Sequence, residues 1–328
     1  MAQTPRRQNR AGAFRPGGPR RKRPQWQKRL TAALPGLLLV LVLICISGTL
    51  ILYLADERDT DAGEGIFGSG LLDSPIAVLM ERESGQVLAS LNGTEKMYPA
   101  SLTKMMTVLT ALDEWDSPED VKVVMDAFYY QDLYDSDASR AGFDPGEEAR
   151  IIDLMYGALL PSGAECCMQL ALSAAGSEEE FVSRMNRKAA KLGMKNTHFA
   201  NVTGLHSEEQ YSTAMDLAKL LRAGLDNPVF YSIITTHHYS VPPTNLHPEG
   251  FTFWSTLFKA TVDEYVNGGE IMGGKTGYTS QAGHCLASFA TIDGKDYILV
   301  TGGVCEQPRT ESYHIDDAFR AYNQIKVS

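Results

Sequence analysis

Residues 284–301, HCLASFATIDGKDYILVT, carry the strongest structural signal in the chain. Two mostly apolar runs, 284–290 and 297–301, lie on either side of Asp293-Gly294. Asp-Gly favours the two-residue turn of a β-hairpin, because both residues tolerate the left-handed backbone that this turn needs. The sequence therefore predicts two antiparallel strands near the end of the chain.

Other strand and helix patterns extend outward from this hairpin. Short apolar runs predict strands at 76–80, 86–89 and 274–278, the first two flanking turn residues 83–85. Apolar spacing, capping boxes and terminal glycines predict helices starting near Ser101, at 150–160 and 164–175, from Ser177 to Gly193, from Thr213 to Gly224, and at 310–325. This order predicts an α+β fold in which terminal strands share one antiparallel sheet and the intervening helices form a second cluster.

Composition and charge narrow the class of protein. With 44% hydrophobic and 21% charged residues, the chain is globular and cannot be wholly disordered or fibrous. Its net charge of −10 is unevenly distributed, since residues 1–55 hold ten of the 30 Lys and Arg and none of the 40 Asp and Glu. Residues 56–328 therefore have a net charge of −20. Because this acidic body has no evident basic face, nucleic acid is not expected as a partner.

The basic segment precedes a stretch that predicts a membrane anchor. Residues 36–54, GLLLVLVLICISGTLILYL, are nineteen nearly all apolar positions, long enough as a helix to cross a hydrocarbon core of about 30 Å. Basic residues before it and acidic residues after it predict a cytoplasmic N-terminus and an extracytoplasmic body in the cell membrane. A cleaved signal peptide is the alternative, but the run is longer than usual and no A-x-A site follows.

These features divide the chain into four predicted parts. The four parts are a basic cytoplasmic tail at 1–29, a single-pass transmembrane helix at 30–55, a flexible acidic stalk at 56–74 and one globular domain at 75–328.

The first chemical motif is Ser101-Leu102-Thr103-Lys104, at the start of a predicted helix. Spacing i, i+3 places Ser101 and Lys104 on one helix face. A serine hydroxyl needs a base to act as a nucleophile, and a lysine with a lowered pKa can serve. The unpaired N–H groups of the helix start also suit an oxyanion. Taken alone, the motif favours a capping serine and a solvated lysine.

Two further motifs follow in the chain. Ser162-Gly163-Ala164 lies between two predicted helices, where an ordinary helix-to-helix turn would also explain it. Gly274-Lys275-Thr276-Gly277 lies on a predicted strand, and such a strand can pair with a substrate backbone, with Lys for charge, Thr as a donor and Gly for close approach. The alternative is an ordinary edge strand that ends in a turn.

The order and spacing of the three motifs resemble those of the penicillin-recognising serine enzymes. Segments 98–107 (YPASLTKMMT), 201–206 (NVTGLH), 211–216 (YSTAMD) and 274–279 (GKTGYT) resemble serine-type D-alanyl-D-alanine carboxypeptidases, the low-molecular-mass penicillin-binding proteins. The resemblance covers about 75–328. It implies a penicillin-binding transpeptidase and β-lactamase-like fold, with a five-stranded antiparallel sheet flanked by helices and an all-helical lobe.

The resemblance also implies roles for individual residues. Ser101 would be the acylated nucleophile and Lys104 its general base. Ser162 would relay a proton to the leaving amine. Lys275 would hold Lys104 in its low-pKa state, and Thr276 would bind the terminal carboxylate of the substrate.

Three further positions belong to the implied substrate site. Gly277 would allow close approach, and the backbone N–H groups of Ser101 and Tyr278 would form the oxyanion hole. Arg309 matches more loosely an arginine that the family uses near the carboxylate, and an exposed arginine at a helix start explains it equally well. The implied partners are peptidoglycan stem peptides that end in D-Ala-D-Ala, with β-lactams as inhibitors, and no cofactor.

One departure from the family pattern leaves alternatives open. The family usually has Asn where this chain has Ala164, so one substrate contact is lost unless Glu165 or water replaces it. A weakly catalytic or non-catalytic penicillin-binding sensor or scaffold is therefore an alternative to a carboxypeptidase, and a β-lactamase is a further one.

Metal and disulfide chemistry are not expected from the sequence. There is no H-E-x-x-H motif, which argues against a zinc peptidase. We predict no disulfide among Cys166, Cys167, Cys285 and Cys305, since the hairpin register places Cys285 opposite position 302 instead of 305.

Overall fold

A computed structural model describes residues 66–136, 138–305 and 312–326, all within one unit that spans Thr60–Ser328. Within those ranges, no helix combines the length and apolar character needed to cross a membrane. The predicted tail at 1–29, the predicted anchor at 30–55, most of the predicted stalk and Arg309 lie outside the described residues.

The described elements include the predicted strands and helices, together with four short strands among the helices that the sequence did not predict. The strands are β1 (Ile76–Glu81), β2 (Val87–Leu91), β3 (Lys122–Val124), β4 (Glu148–Arg150), β5 (His238–Val241), β6 (Phe251–Trp254), β7 (Tyr265–Val266), β8 (Gly269–Thr279), β9 (Gly283–Ile292) and β10 (Lys295–Val304). The α-helices are α1 (Thr103–Ala111), α2 (Tyr130–Asp135), α3 (Ile151–Leu159), α4 (Ala164–Ala175), α5 (Glu178–Lys191), α6 (Ala214–Leu225), α7 (Pro228–Ile234) and α8 (Tyr313–Tyr322). Short 3₁₀ helices cover Ala100–Leu102 and Phe258–Ala260.

The main sheet is antiparallel, with the spatial order β2-β1-β10-β9-β8-β7. The prediction that N- and C-terminal strands share one sheet is confirmed, because β1 pairs with β10 along its whole length. The predicted hairpin is also confirmed, with Asp293 and Gly294 at φ of 48° and 76°, as a two-residue turn requires.

The expected count of five strands is wrong for the described residues, which form a sheet of six. The additional strand is β7, whose two residues pair with Gly269 and Glu270 at the beginning of β8. Gly268 takes the left-handed backbone in the intervening turn, at φ 82°. A strand of two residues has too few positions to show the alternation of apolar and polar side chains, so the sequence pattern could not reveal it.

Apolar side chains cover both faces of the main sheet. Along β1, Ala77 and Leu79 join the cluster that includes α8, whereas Val78 and Met80 join the larger cluster that includes α6. This alternation follows from the two-residue period of a strand. Sheet and helices therefore form a layered core with α6 and α8 on opposite faces.

The helical lobe is built around α1. All nine residues of α1 are buried, and α1 packs against α3, α4, α5 and α6. The 3₁₀ turn that precedes it packs against β8 and β9 of the main sheet. The beginning of α1 is therefore held between the helical lobe and the sheet, which positions the first sequence motif.

Candidate active site

Ser101 and Lys104 lie together at the beginning of α1. Ser101 is half-buried within the 3₁₀ turn, and the preceding Ala100 has a left-handed backbone with φ 46°. The Lys104 ammonium donates to Ser101 Oγ at 3.0 Å and to the backbone carbonyl of Thr203. The hydrogen bond from Lys104 to Ser101 is the contact that a nucleophile and its base require.

Burial prepares Lys104 to act as a base. Its side chain is almost completely buried, and this burial lowers the pKa of the Lys104 ammonium, while nearby Cys167 and Glu165 oppose the shift. A lower pKa increases the fraction of neutral amine near neutral pH. Lys104 is thus able to accept the proton of the Ser101 hydroxyl.

Lys275 on β8 is a second buried lysine in this region. Its side chain is fully buried and donates to the carbonyl of Thr276 at 2.8 Å. Burial lowers the pKa of Lys275 strongly, and the positive charge of Lys104 lowers it further. Because repulsion between two charges is mutual, the state in which Lys275 and Lys104 are both charged is disfavoured.

At Gly277, strand β8 lies directly against the 3₁₀ turn that contains Ser101. A Cβ atom at Gly277 would lie 3.1 Å from the Ser101 backbone nitrogen and 3.2 Å from the Ala100 Cβ. From another side, a Cβ atom at Gly204 would lie 2.9 Å from the same nitrogen, and Gly204 has a φ of 84°. Two glycines therefore allow backbone from two segments to approach Ser101 closely.

A chain of hydrogen bonds connects β8 to the end of α3. The hydroxyl oxygens of Thr276 and Thr256 lie 2.6 Å apart, and the backbone N–H of Thr256 donates to the carbonyl of Leu160 at 3.0 Å. Leu160 is two residues before Ser162. The second and third motifs are thus tied to one another through Thr256.

Ser162 occupies the connection between α3 and α4. It has a left-handed backbone with φ 69°, and its buried hydroxyl forms no hydrogen bond with any described residue. A strained backbone and an unused buried hydroxyl both cost free energy, which the surrounding fold must offset. The following Gly163 is packed so tightly that a Cβ atom there would meet the Ala141 Cβ at 2.8 Å and the Gly157 carbonyl at 2.9 Å.

Ala164 and Glu165 begin α4 after this turn. Ala164 is buried, and its N–H donates to the carbonyl of Ser139 at 2.8 Å. Glu165 accepts the N–H groups of Ala141 and Gly142 on one carboxylate oxygen, at 2.6 and 2.8 Å. Its other oxygen is buried without a hydrogen-bond partner among the described residues, and burial raises the pKa of Glu165.

Tyr278 lies near the end of β8 in a cluster of aromatic rings. Its exposed side chain packs on His284 with ring centroids 4.6 Å apart, and His284 stacks on His314 of α8 at 4.8 Å. Burial, together with the charge of His284, lowers the pKa of His314 to about 4. Arg309, the remaining predicted site residue, lies outside the described ranges.

The other sequence expectations concern metals and thiols. Across the described ranges there is no group of three or more His, Cys, Asp or Glu arranged to hold a metal ion. Cys166, Cys167, Cys285 and Cys305 carry free thiols, of which all but Cys305 are buried. Burial raises the pKa of Cys167 and Cys285 to about 12, so both are neutral thiols at neutral pH.

Sequence reasoning assigned no role to two residues of this site. The backbone carbonyl of Thr203 accepts a hydrogen bond from the Lys104 ammonium. Thr203 lies in the NVTGLH segment, and the resemblance of that segment to the family was the one sequence feature that could have indicated its role. Thr256, the partner of Thr276, has no local signal, because its importance depends on a contact between β8 and a loop 20 residues earlier.

Comparison with known proteins agrees with this geometry. Residues 70–305 match the D-alanyl-D-alanine carboxypeptidase family, peptidase S11. The chain is 32% identical over 253 residues to D-alanyl-D-alanine carboxypeptidase DacF of Bacillus subtilis, covering 76% of this chain and 63% of that protein. It is 36% identical over 238 residues to DacC of Escherichia coli, covering 71% and 57%. The matched region thus spans about three fifths of each of these relatives.

Solved structures show the same similarity of fold. The Streptomyces K15 DD-transpeptidase superimposes with a TM-score of 0.69 at 25% identity, covering 77% of this chain and 97% of that one. The D-alanyl-D-alanine carboxypeptidase of Mycobacterium tuberculosis gives a TM-score of 0.66 at 28% identity, covering 76% and 90%. The resemblance seen in the sequence motifs is confirmed, and this chain belongs to the D-alanyl-D-alanine carboxypeptidase family.

Proposed function

We propose that the protein is a serine D,D-carboxypeptidase that removes the terminal D-Ala from peptidoglycan stem peptides, and that β-lactams acylate the same serine. The observation that carries the proposal is the 3.0 Å hydrogen bond between Lys104 Nζ and Ser101 Oγ. Burial lowers the pKa of that lysine, so a base is in contact with the hydroxyl that it must activate.

In the acylation step, neutral Lys104 takes the proton of Ser101 while Ser101 Oγ attacks the carbonyl carbon of the D-Ala-D-Ala bond. The backbone N–H groups of Ser101 and Tyr278 are the proposed donors to the resulting oxyanion. The carbon–nitrogen bond then breaks, and the proton held by Lys104 passes through Ser162 to the leaving amine. The unused hydroxyl of Ser162 supports this relay.

The substrate is held along β8 in this proposal. Thr276 would donate its hydroxyl proton to the terminal carboxylate. The 2.6 Å contact with Thr256 supports this role. If Thr256 donates to Thr276, the hydroxyl proton of Thr276 remains available for the substrate. Arg309 would add positive charge near the carboxylate, and Lys275 would help to anchor the substrate as a hydrogen-bond donor. Gly277 leaves room for the substrate backbone to approach the nucleophile.

In the deacylation step, water attacks the ester on Ser101. Lys104 accepts a proton from that water, the carbon–oxygen bond breaks, and the proton returns to Ser101 Oγ. The products are the shortened peptide and free enzyme.

The proposed location is the outer side of the cell membrane, with residues 30–55 as the anchor and the N-terminus in the cytoplasm. This part rests on the apolar run and the charge asymmetry of the sequence. Protease treatment of intact spheroplasts would remove the domain at 75–328 if this topology holds.

The experiment that tests the function combines labelling with turnover. Wild-type protein should be labelled by a fluorescent penicillin and should release D-Ala from a pentapeptide, whereas Ser101→Ala should do neither. Equal labelling of the two proteins would refute the nucleophile. Labelling without release of D-Ala would instead favour a sensor or scaffold, and rapid release of hydrolysed penicillin would favour a β-lactamase.

A further inference from the structure

The carbonyl that accepts the Lys104 ammonium belongs to the peptide unit between Thr203 and Gly204. The N–H of the same unit, on Gly204, donates to Asn201 Oδ1 at 2.8 Å. Because a peptide unit is planar, its C=O and N–H point in opposite directions and rotate together. The hydrogen bond from Gly204 to Asn201 therefore sets the direction in which the Thr203 carbonyl points.

The residue after this carbonyl gives the peptide unit freedom to rotate. Gly204 has a φ of 84°, and glycine adopts positive and negative φ about equally readily. Rotation of the unit by half a turn would reverse the sign of φ at Gly204 and would turn the Thr203 carbonyl away from Lys104. Since the backbone at Gly204 has little preference of its own, the side chain of Asn201 selects the orientation.

Asn201 is itself held in place by the buried Gln210. Gln210 Nε2 donates to Asn201 Oδ1 at 3.2 Å, and Gln210 Oε1 accepts the N–H groups of Ala200 and Asn201, both at 3.0 Å. Asn201 Nδ2 donates to the carbonyl of Leu205 at 2.9 Å, so the amide has a defined orientation. Asn201 Oδ1 also accepts the N–H of Thr203 at 3.2 Å. The loop at 201–205 is therefore organised around this one side chain.

The direction of the Thr203 carbonyl matters because it orients Lys104. A neutral amine has two N–H groups and one lone pair. When one N–H donates to the Thr203 carbonyl, the lone pair is able to face Ser101 Oγ, which lies 3.0 Å from Lys104 Nζ. After proton transfer the ammonium donates to the same carbonyl, and hydrogen bonds from charged donors are the stronger ones. The carbonyl thus orients the base before the transfer and stabilises its charge afterwards.

We propose that Asn201 is a positioning residue for Lys104, because it fixes the peptide unit whose carbonyl directs the lysine toward Ser101. Asn201 acts on the base through this peptide unit. The inference rests on the proposed function, in which Lys104 is the general base, and it adds the side chain that orients that base.

The pH dependence of acylation by a fluorescent penicillin tests this role. Asn201→Leu keeps a side chain of similar size and removes the acceptor, so the Thr203 carbonyl can turn away. We expect the plateau rate to fall about tenfold, because the lone pair is no longer directed at Ser101. We expect the midpoint to fall by about one pH unit, because the ammonium loses a hydrogen bond. Loss of folded protein alone would lower the amount of labelled protein and leave the midpoint unchanged.

The other titratable groups around Lys104 stay the same in this variant. Glu178 on α5 accepts the N–H of Val202 in the 201–205 loop at 3.0 Å. The groups that interact with the charge of Lys104 itself are Glu165, Cys166 and Cys167 on α4 and Lys275 on β8. A lower midpoint in Asn201→Leu therefore reports the loss of the Thr203 carbonyl.

Two further variants make the test specific. Asn186 on α5 also bonds to the backbone of this region, since it accepts the N–H of Phe199 at 2.9 Å and donates to its carbonyl at 2.8 Å. Asn186→Leu should lower stability and leave the plateau and the midpoint unchanged. Asn201→Asp keeps an acceptor oxygen, and its negative charge favours the ammonium, so its midpoint should not fall. A midpoint below that of the wild type in Asn201→Asp would overturn the proposal, whether or not Asn201→Leu folds.

Direct titration of Lys104 separates failure of this inference from failure of the proposed function. The NMR resonance of Lys104 Cε, measured on the full chain and assigned by comparison with Lys104→Arg, gives the midpoint whether or not the protein releases D-Ala. A lower midpoint in Asn201→Leu than in the wild type and Asn186→Leu supports the positioning role. Equal midpoints in the three proteins overturn it, and absence of D-Ala release by the wild type refutes only the proposed reaction.

Discussion

The hydroxyl oxygens of Thr256 and Thr276 lie 2.6 Å apart, although Thr256 lies in the loop after β6 and Thr276 in the middle of β8. Thr256 is in turn bonded through its N–H to Leu160, near the Ser162 turn. The hydroxyl proposed to bind the substrate carboxylate is therefore oriented by a residue outside the three motifs.

Replacing Thr256 by Val should lower kcat/KM for D-Ala release without disturbing the fold. Valine keeps the shape and removes the hydroxyl that orients Thr276, so we expect kcat/KM for D-Ala release to fall about tenfold, the equivalent of about one hydrogen bond. Thr256→Ser retains the hydroxyl and should keep most of the activity. Wild-type kinetics in Thr256→Val would contradict this role.

The pH dependence of acylation should report the lowered pKa of Lys104. Because the neutral amine is the base, the rate of acylation by a β-lactam should rise with pH and level off once the lysine has lost its proton. The midpoint should lie below 10.5, the ordinary lysine value, because burial lowers this pKa. As Lys104 and Lys275 are coupled, the midpoint belongs to the pair. A midpoint at or above 10.5 would exclude the proposed base.

Substituting Lys275 by Met should stabilise the fold while removing activity. A buried lysine whose pKa is lowered makes the folded state bind fewer protons than the unfolded state, so its charge destabilises the fold most at low pH. This penalty disappears as pH rises through the ordinary lysine value. We expect Tm to rise by about 2–4 °C near pH 6 and by less near pH 9.

Thermal unfolding of Lys275→Met and wild type at the two pH values checks this. Lys259→Met is a suitable control, since its side chain is exposed and should leave Tm nearly unchanged. A larger gain at high pH than at low pH would reverse the expected sign and show that burial does not penalise the Lys275 charge.

Gly277→Ala should impair the nucleophile specifically. The new methyl group would lie 3.1 Å from the Ser101 nitrogen and 3.2 Å from the Ala100 Cβ, so β8 or the 3₁₀ turn that contains Ser101 must move. A misplacement of about 1 Å can cost about a hundredfold in rate, and because the shift needed here is smaller, we expect penicillin acylation to slow by about tenfold. Gly68→Ala, where the methyl group meets nothing within 4 Å, is the control. Unchanged acylation in Gly277→Ala would show that the approach of β8 is not needed.

Glu165 should matter mainly for stability. Its carboxylate accepts two backbone N–H groups, from Ala141 and Gly142, within a segment that packs against the Ser162 turn. Glu165→Ala leaves both donors without that acceptor, and we expect the free energy of unfolding to fall by about 2–4 kcal/mol. Glu165→Gln keeps an acceptor oxygen and should cost less in urea unfolding. If the two variants are equally stable, the pair of hydrogen bonds does not support the turn.

The sequence by itself determined the elements whose signals are local. The Asp293-Gly294 turn, the capped helices α5 and α6, and the Ser101–Lys104 spacing each depend on neighbouring residues, because turn geometry and helix periodicity act over a few positions. Because these local signals set the order of strands and helices along the chain, that order was enough to predict one antiparallel sheet with a helical lobe.

Tertiary structure alone decided the properties that depend on distant segments. The lowered pKa values of Lys104 and Lys275 arise from burial by residues far apart in the chain, and the contact of Thr256 with Thr276 exists only after β8 has packed. The sixth strand could likewise not be predicted, since its two residues show no periodic pattern. Desolvation and long-range packing are properties of the folded chain, whereas spacing and turn preference are written in its sequence.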